Sequence, residues 1–225
     1  MNKTNVDFWL KILQNPSPLY MQLFKEEALY ISKNIPKDSY LLDIGCGDGR
    51  VIKLITPTTQ NIVGIDNDET AIKNAGEQLK AFPNIWLIKS DALNMPFEQN
   101  TFDVATFMMT LVNFGDFKIK VLKEIHRVLK ENGILVLSVY SEDSYETRFN
   151  MYTEIGLPIK MVEDKRKFIF DAIGSAESSE QFSIDQLNEF AQESGFKIVD
   201  MKKVDGIAYL CTLKNNFTNA REAYK

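Results

Sequence analysis

One histidine, His126, and two cysteines, Cys46 and Cys211, are all that these 225 residues offer to soft-metal or disulfide chemistry. Two thiols are too few for a disulfide framework or a cysteine-only zinc site, and a lone imidazole makes no histidine-rich centre, so no metal is expected. No apolar run approaches the roughly 20 residues of a membrane-spanning helix. The opening "MNKTNVDFWLKILQNPSP" lacks both the apolar segment and the cleavage site of a secretion signal. Positive charge is scarce too. The formal net charge of −5 argues against sequence-blind nucleic-acid binding, which needs a basic surface. "EDKRK", residues 163–167, is the nearest basic patch and reads as a solvated turn between two strands. The expectation is a globular protein of the cytoplasm, monomer or homodimer, without nucleic-acid or membrane partners and long enough to bury a core of its own.

Order along the chain begins with one or two helices before residue 38, broken at "NPSP" where Pro16 and Pro18 forbid continuation. An alternation follows. "SYLLDIG", "NIVGID", "NIWLIKSD", "TFDVATFM" and "ILVLSVY" read as five strands. Between them "DGRVIKLI", "DETAIKNAGEQLK" and "FKIKVLKEIHRVLKENG" carry apolar residues at helical spacing. The last of these is expected to end in a cap at Asn132–Gly133. Continuous apolar strands alternating with helices imply a parallel sheet covered on both faces. "SIDQ", residues 183–186, predicts a capping box opening a helix through about Ser194. Asp205–Gly206 then joins "KIVDMKKV" to "IAYLCTL" as an antiparallel hairpin. Residues 141–182 break the rhythm. They are rich in aromatic and charged residues, predict a hairpin around "KFIFDAIG", and read as an insertion over the sheet.

The stretch with the most chemistry is "LLDIGCGDGR", Leu41 to Arg50. Ligands of open parallel sheets bind at the carboxyl ends of the strands, where glycine lets the backbone turn tightly and approach a ligand. The spacing is G-x-G-x-G rather than the dinucleotide G-x-G-x-x-G, and no GK[ST] follows to make a P-loop. Asp43 and Asp48 would repel a diphosphate and attract an ammonium or sulfonium, so the loop favours a cationic ligand. Asp66 ends the second strand, seventeen residues past Gly49, where a carboxylate accepts from ribose hydroxyls; alone it does not separate a nicotinamide cofactor from another adenosyl ligand. Asp91 ends the third strand, with Ala92 and Leu93 beside it to contact a purine.

"LLDIGCGDGR", "VGIDND", "SDALNMPF", "FDVATF" and "LKEIHRVLKENGILVLSVY" stand in an order and spacing that resembles the class I S-adenosylmethionine-dependent methyltransferases. The likeness is close over residues 40–140, looser through the C-terminal helix and hairpin, and includes the ubiquinone and menaquinone methyltransferase type. It implies a three-layer, Rossmann-like, doubly wound α/β fold with seven strands, mostly parallel, closing on a C-terminal antiparallel hairpin. It also implies S-adenosylmethionine as cofactor, S-adenosylhomocysteine as product and a small-molecule methyl acceptor. Carried over, Asp43, Gly45, Cys46 and Gly47 would surround the methionine part, Asp66 the ribose with Asn67 beside it near the adenine, and Asp91 with Ala92 the adenine. Phe107 or Met108 would line the sulfonium end, and Tyr20 is a lid or packing residue.

The expected division is an N-terminal helical lid over 1–38, a cofactor-binding core over 39–140, an acceptor-binding insertion over 141–182, and a helix, hairpin and tail over 183–225 that complete the sheet. Methyl transfer needs in-line geometry above all, and a base only where the acceptor must lose a proton. Tyr140 and Glu142, at the fifth strand's carboxyl end, are the residues expected to orient the acceptor or take that proton. Tyr145, Arg148, Phe149 and Tyr152 either line the acceptor site or form the insertion's own small core, and Met108, Met109, Phe114 and Phe117 could form an apolar wall. His126 lies on a helix away from the strand ends and reads as structural. Other readings of the same carboxylates are a non-catalytic S-adenosylmethionine binder and an NAD-dependent oxidoreductase.

Overall fold

A computed structural model describes residues 12, 16–59, 61–171 and 178–215. Five parallel strands form its centre: β1 (Leu41–Ile44), β2 (Ile62–Asp66), β3 (Ile85–Lys89), β4 (Phe102–Met108) and β5 (Leu129–Ser141), side by side in the order β3-β2-β1-β4-β5. All four residues of β1 are buried, as suits a strand flanked on both edges and covered on both faces. The order reverses between β1 and β4, so Asp43 and its register partner Thr106 stand at the switch point where open sheets take their ligands.

β10 (Ala208–Asn215) runs antiparallel to β5 and to β9 (Phe196–Val204). The turn between β9 and β10 is closed by Ile207 N–H donating to the Val204 carbonyl, with Gly206 at φ 73°. Seven strands therefore make the main sheet, and β10 alone runs against the others. The whole sheet has ten. The insertion contributes β6 (Ile159–Glu163), β7 (Lys167–Phe170) and β8 (Ser178–Phe182), an antiparallel trio that joins the end of β5 through Tyr140 with Gln181 and Ser141 with Phe182. The expected "KFIFDAIG" hairpin is shifted: its turn is "EDKR", with Asp164 and Lys165 at positive φ, and its second strand stops at Phe170. Ala172 to Gly174 of that stretch lie outside the described residues.

Helices follow their caps. Ser17 accepts from Tyr20 N–H to open α1 (Pro18–Asn34), with Pro18 in the first turn where its missing donor costs nothing. α2 (Arg50–Ile55) follows the glycine turn, and α3 (Glu69–Leu79) is capped by Asp68 accepting from Thr70 and Ala71 N–H. α4 (Lys118–Val128) stops sooner than its apolar spacing predicts. Leu129 is already extended and pairs with Phe102 of β4, while Asn215 Nδ2 donates to the carbonyls of His126, Leu129 and Lys130. Asn132, at φ 64°, turns the chain within β5 and caps no helix. α5 (Tyr145–Glu154) belongs to the insertion, and α6 (Ile184–Glu193) opens with the reciprocal capping box of Ser183 and Gln186.

Candidate active site

β1 runs into a turn held by β2. Gly45 and Cys46 N–H both donate to the Ile65 carbonyl, at 2.8 and 2.9 Å. Gly45 has φ 68°, and a Cβ there would come within 2.5 Å of the Thr110 side chain, so this glycine lets the segment after β4 close on the turn. Gly47, at φ 53°, has no protein atom within 4 Å of where its Cβ would stand. One glycine serves the fold, and the other leaves backbone open to a ligand.

The three aspartates differ sharply. Asp43 is 1% exposed. Its Oδ1 accepts from Thr106 Oγ1 at 2.6 Å, and its Oδ2 is buried without a hydrogen-bond partner. Burial pushes its carboxyl up to about 7, with the Thr106 bond and the Arg50 charge pulling the other way. Asp66 is half-buried. Its Oδ2 accepts from Gly47 N–H and its Oδ1 from Asp68 N–H, both at 2.9 Å, so it ties the glycine turn to the tip of β2. Burial raises it, and those backbone donors pull it back. Asp91 is exposed, with Oδ1 accepting from Leu93 N–H at 2.9 Å. Asn67 is exposed beside Asp66, and Ala92 is half-buried. Cys46 is buried, and burial drives its thiol upward, opposite to a nucleophile's need.

Strand alternation separates the two residues expected at the sulfonium end. Met108 shares the face of Thr106, hence of Asp43, whereas Phe107 points to the other face and packs on Phe114 with centroids 5.5 Å apart. Met109, directly after β4, has φ 52°, and its N–H donates to the carbonyl and the Oγ of Ser138. Tyr20 is fully buried and shares a 2.7 Å hydrogen bond with the Tyr140 hydroxyl; burial holds both phenols above their ordinary range. Glu142 is exposed and accepts from the Tyr209 hydroxyl. The two residues expected at the end of β5 thus bond to different elements, α1 and β10. His126 packs edge-on against Phe196, 5.3 Å between centroids, at the far side of α4.

Within the insertion, Arg148 and Tyr152 are buried with Phe168 and Phe170, the arrangement of a small core of its own. Phe117 and Phe149 remain 55% and 38% exposed. Four residues escaped sequence reasoning: Glu27, Thr106, Thr110 and Ser138. Glu27 left a signal, being the one charge on a helix face of Tyr20, Leu23, Tyr30 and Ile31.

An unpartnered buried carboxylate oxygen, a half-buried carboxylate at the next strand tip and an open glycine backbone fit a nucleoside with a cationic amino-acid tail. Comparisons with known proteins agree. Residues 42–137 match the family model described as a methyltransferase domain. The demethylmenaquinone methyltransferase of Staphylococcus carnosus is 28% identical over 95% of this chain and 88% of its own length. A Pyrococcus horikoshii protein shares the fold with a TM-score of 0.72 at 22% identity, over 95% of this chain and 94% of that one. The 1,6-didemethyltoxoflavin-N1-methyltransferase of Burkholderia thailandensis, solved with 1,6-didemethyltoxoflavin and S-adenosylhomocysteine, shares it with a TM-score of 0.70 at 14% identity, over 94% and 87%. The strand-tip carboxylates, the glycine turn and these likenesses together make the chain similar to the S-adenosylmethionine-dependent methyltransferases, with the methyltransferase domain matched over residues 42–137.

Proposed function

We propose that this enzyme methylates a small, flat, apolar acceptor of the quinol type, held between the insertion and the segment after β4. The observation that carries this reading is the exposure of two aromatic rings, Phe117 on the turn between β4 and α4 and Phe149 on α5 of the insertion. The relative from Staphylococcus carnosus, named for demethylmenaquinone, supports the same acceptor class. In this reading the expected division holds, with a lid over 1–38, the cofactor core over 39–140, the acceptor-binding insertion over 141–182 and the closing strands over 183–225, of which 1–11, 13–15, 60, 172–177 and 216–225 lie outside the described residues. The enzyme works in the cytoplasm as a monomer or homodimer; among the described residues no helix is long and apolar enough to cross a membrane.

Bound S-adenosylmethionine supplies an electrophilic methyl on a neutral leaving group. Asp43, Gly45, Cys46 and Gly47 would hold its amino-acid end, Asp66 the ribose with Asn67 beside it near the adenine, Asp91 and Ala92 the adenine, and Met108 would flank the sulfonium. Tyr140 keeps its proton, because burial raises it and Tyr20 occupies its hydroxyl. Glu142, exposed at the end of the same strand, is the group placed to take a proton from an acidic hydroxyl as the acceptor attacks.

Incubation with methyl-labelled cofactor and a demethylated naphthoquinol under reducing conditions tests the reading. Label in a product one methyl heavier is expected. Label carried instead by another compound of a metabolite extract would remove the quinol class.

A further inference from the structure

α1 carries a carboxylate where its neighbours are apolar. Glu27 has no exposed surface, and it shares the buried face of the helix with Tyr20, Leu23, Tyr30 and Ile31. Both oxygens are taken. Oε2 accepts from Arg50 Nη1 at 2.8 Å, and Oε1 accepts from Ser138 Oγ at 2.7 Å. An apolar residue could fill this space without desolvating an ion pair, so filling space does not account for the charge.

What the two partners do is more telling. Arg50 is the first residue after the glycine turn, and its guanidinium also lies 4.7 Å over the ring of Phe24, one helical turn before Glu27. α1 thus grips the end of the cofactor loop by two adjacent side chains. Arg50 is also the cation whose field reaches Asp43, the carboxylate with an unpartnered oxygen. On the other side, Ser138 Oγ accepts from Met109 N–H at 2.9 Å, and Met109 has the left-handed backbone that a non-glycine residue adopts only when its surroundings hold it. The next residue, Thr110, presses on Gly45. One buried carboxylate therefore reaches, through a single side chain each, the glycine turn and the turn after β4.

We propose that Glu27 is a positioning residue for the cofactor, which fastens Arg50 to α1 and so holds the glycine turn in the shape that receives the ligand's amino-acid end. This rests on the assignment of S-adenosylmethionine to the crevice. Glu27→Gln keeps the shape and the Ser138 contact but releases the guanidinium. The test is calorimetric titration of S-adenosylmethionine and S-adenosylhomocysteine into wild type, Glu27→Gln, Arg50→Gln and the double variant, each shown to be folded at the titration temperature. Glu27→Gln is expected to weaken both ligands by about tenfold or more, equivalent to about 1.4 kcal/mol. In the double variant the loss is no greater than in Glu27→Gln alone, because the two residues act as one unit. A folded Glu27→Gln that binds like wild type, or losses that simply add, would overturn the proposal. Should Glu27→Gln fail to fold, the partly exposed Arg50 decides: Arg50→Gln must lose affinity and Arg50→Lys recover most of it, and equal affinities in both variants would overturn it. Wild type binding neither nucleoside would instead sink the cofactor assignment itself.

Discussion

The tips of β1 to β3 and the insertion that rises beyond β5 both bury charged side chains, and they treat them in opposite ways. In the insertion, Arg148 is fully buried yet well supplied. It donates to the Ser179 carbonyl and Oγ at 2.8 and 2.9 Å and to Gln181 Oε1 at 3.1 Å, and its guanidinium lies 4.2 and 4.6 Å over the rings of Tyr140 and Phe168. At the tip of β1, Asp43 is as deeply buried with one oxygen bonded and the other unpartnered. A polar group fully satisfied within the protein contributes to the fold, whereas one left short is costly unless something else completes it. The first region is finished by its own chain, and in the proposed function the second is finished by the cofactor.

The largest effect that would sharpen this contrast comes from Arg148→Met. The Ser179 carbonyl and the Gln181 amide would lose donors inside the protein, at about 1–3 kcal/mol each, so urea unfolding should show a loss of about 3 kcal/mol or more. Calorimetry on the folded fraction should return wild-type affinity for S-adenosylhomocysteine. A variant of intact stability that no longer binds the nucleoside would break the contrast.

Asp43→Asn is the complementary change. The amide oxygen still accepts from Thr106, and the buried charge disappears, so stability at pH 7 should hold or rise. Affinity for S-adenosylmethionine should fall about tenfold or more, roughly 1.4 kcal/mol, on calorimetric titration. Loss of stability without loss of affinity would mean that Asp43 belongs to the fold alone.

A smaller effect follows from the same carboxyl through pH. Folding raises Asp43 to about 7, whereas the unfolded chain releases that proton near pH 4. Between those values the folded state binds the extra proton, so this residue's contribution to stability declines as pH rises from about 4 to about 7 and is level above. Affinity for a cationic ligand runs the other way, improving up to about pH 7 with a proton released on binding at lower pH. Titrations in buffers of different ionisation enthalpy would count that proton, and Asp43→Asn should abolish it.

Much of the first region was legible in the sequence because its signals are local. Apolar runs of the length of β1, β2 and β4 have no exposed face to alternate with, and an aspartate at the end of each of β1, β2 and β3 falls at a strand tip once the parallel order is granted. The rest depends on partners distant in sequence. β8 is "SSEQF", with no strand pattern of its own; it is held by Arg148 through Ser179 and Gln181 and by Lys118 through Glu180. The early end of α4 follows from Asn215, more than 80 residues away, taking its last carbonyls. Met109's left-handed backbone depends on Ser138, and nothing in "TFMMTL" announces it.

Phe117 tests where the two regions meet and should give the smallest change in stability. It is 55% exposed, on the short 3₁₀ turn Gly115–Phe117 between β4 and α4, and that turn is fastened to the insertion by the 2.9 Å bond from Lys118 to Glu180. Surface substitutions away from packed features stay within about 0.5 kcal/mol, so Phe117→Ser should unfold like wild type and bind the nucleoside like wild type. An aromatic acceptor resting on that ring would lose contact area, raising KM with little change in kcat, the pattern of binding lost equally from ground and transition states. If kcat falls instead, the ring orients the reacting atom. If neither constant moves, the acceptor approaches from elsewhere, and the exposed Phe149 on α5 becomes the residue to change.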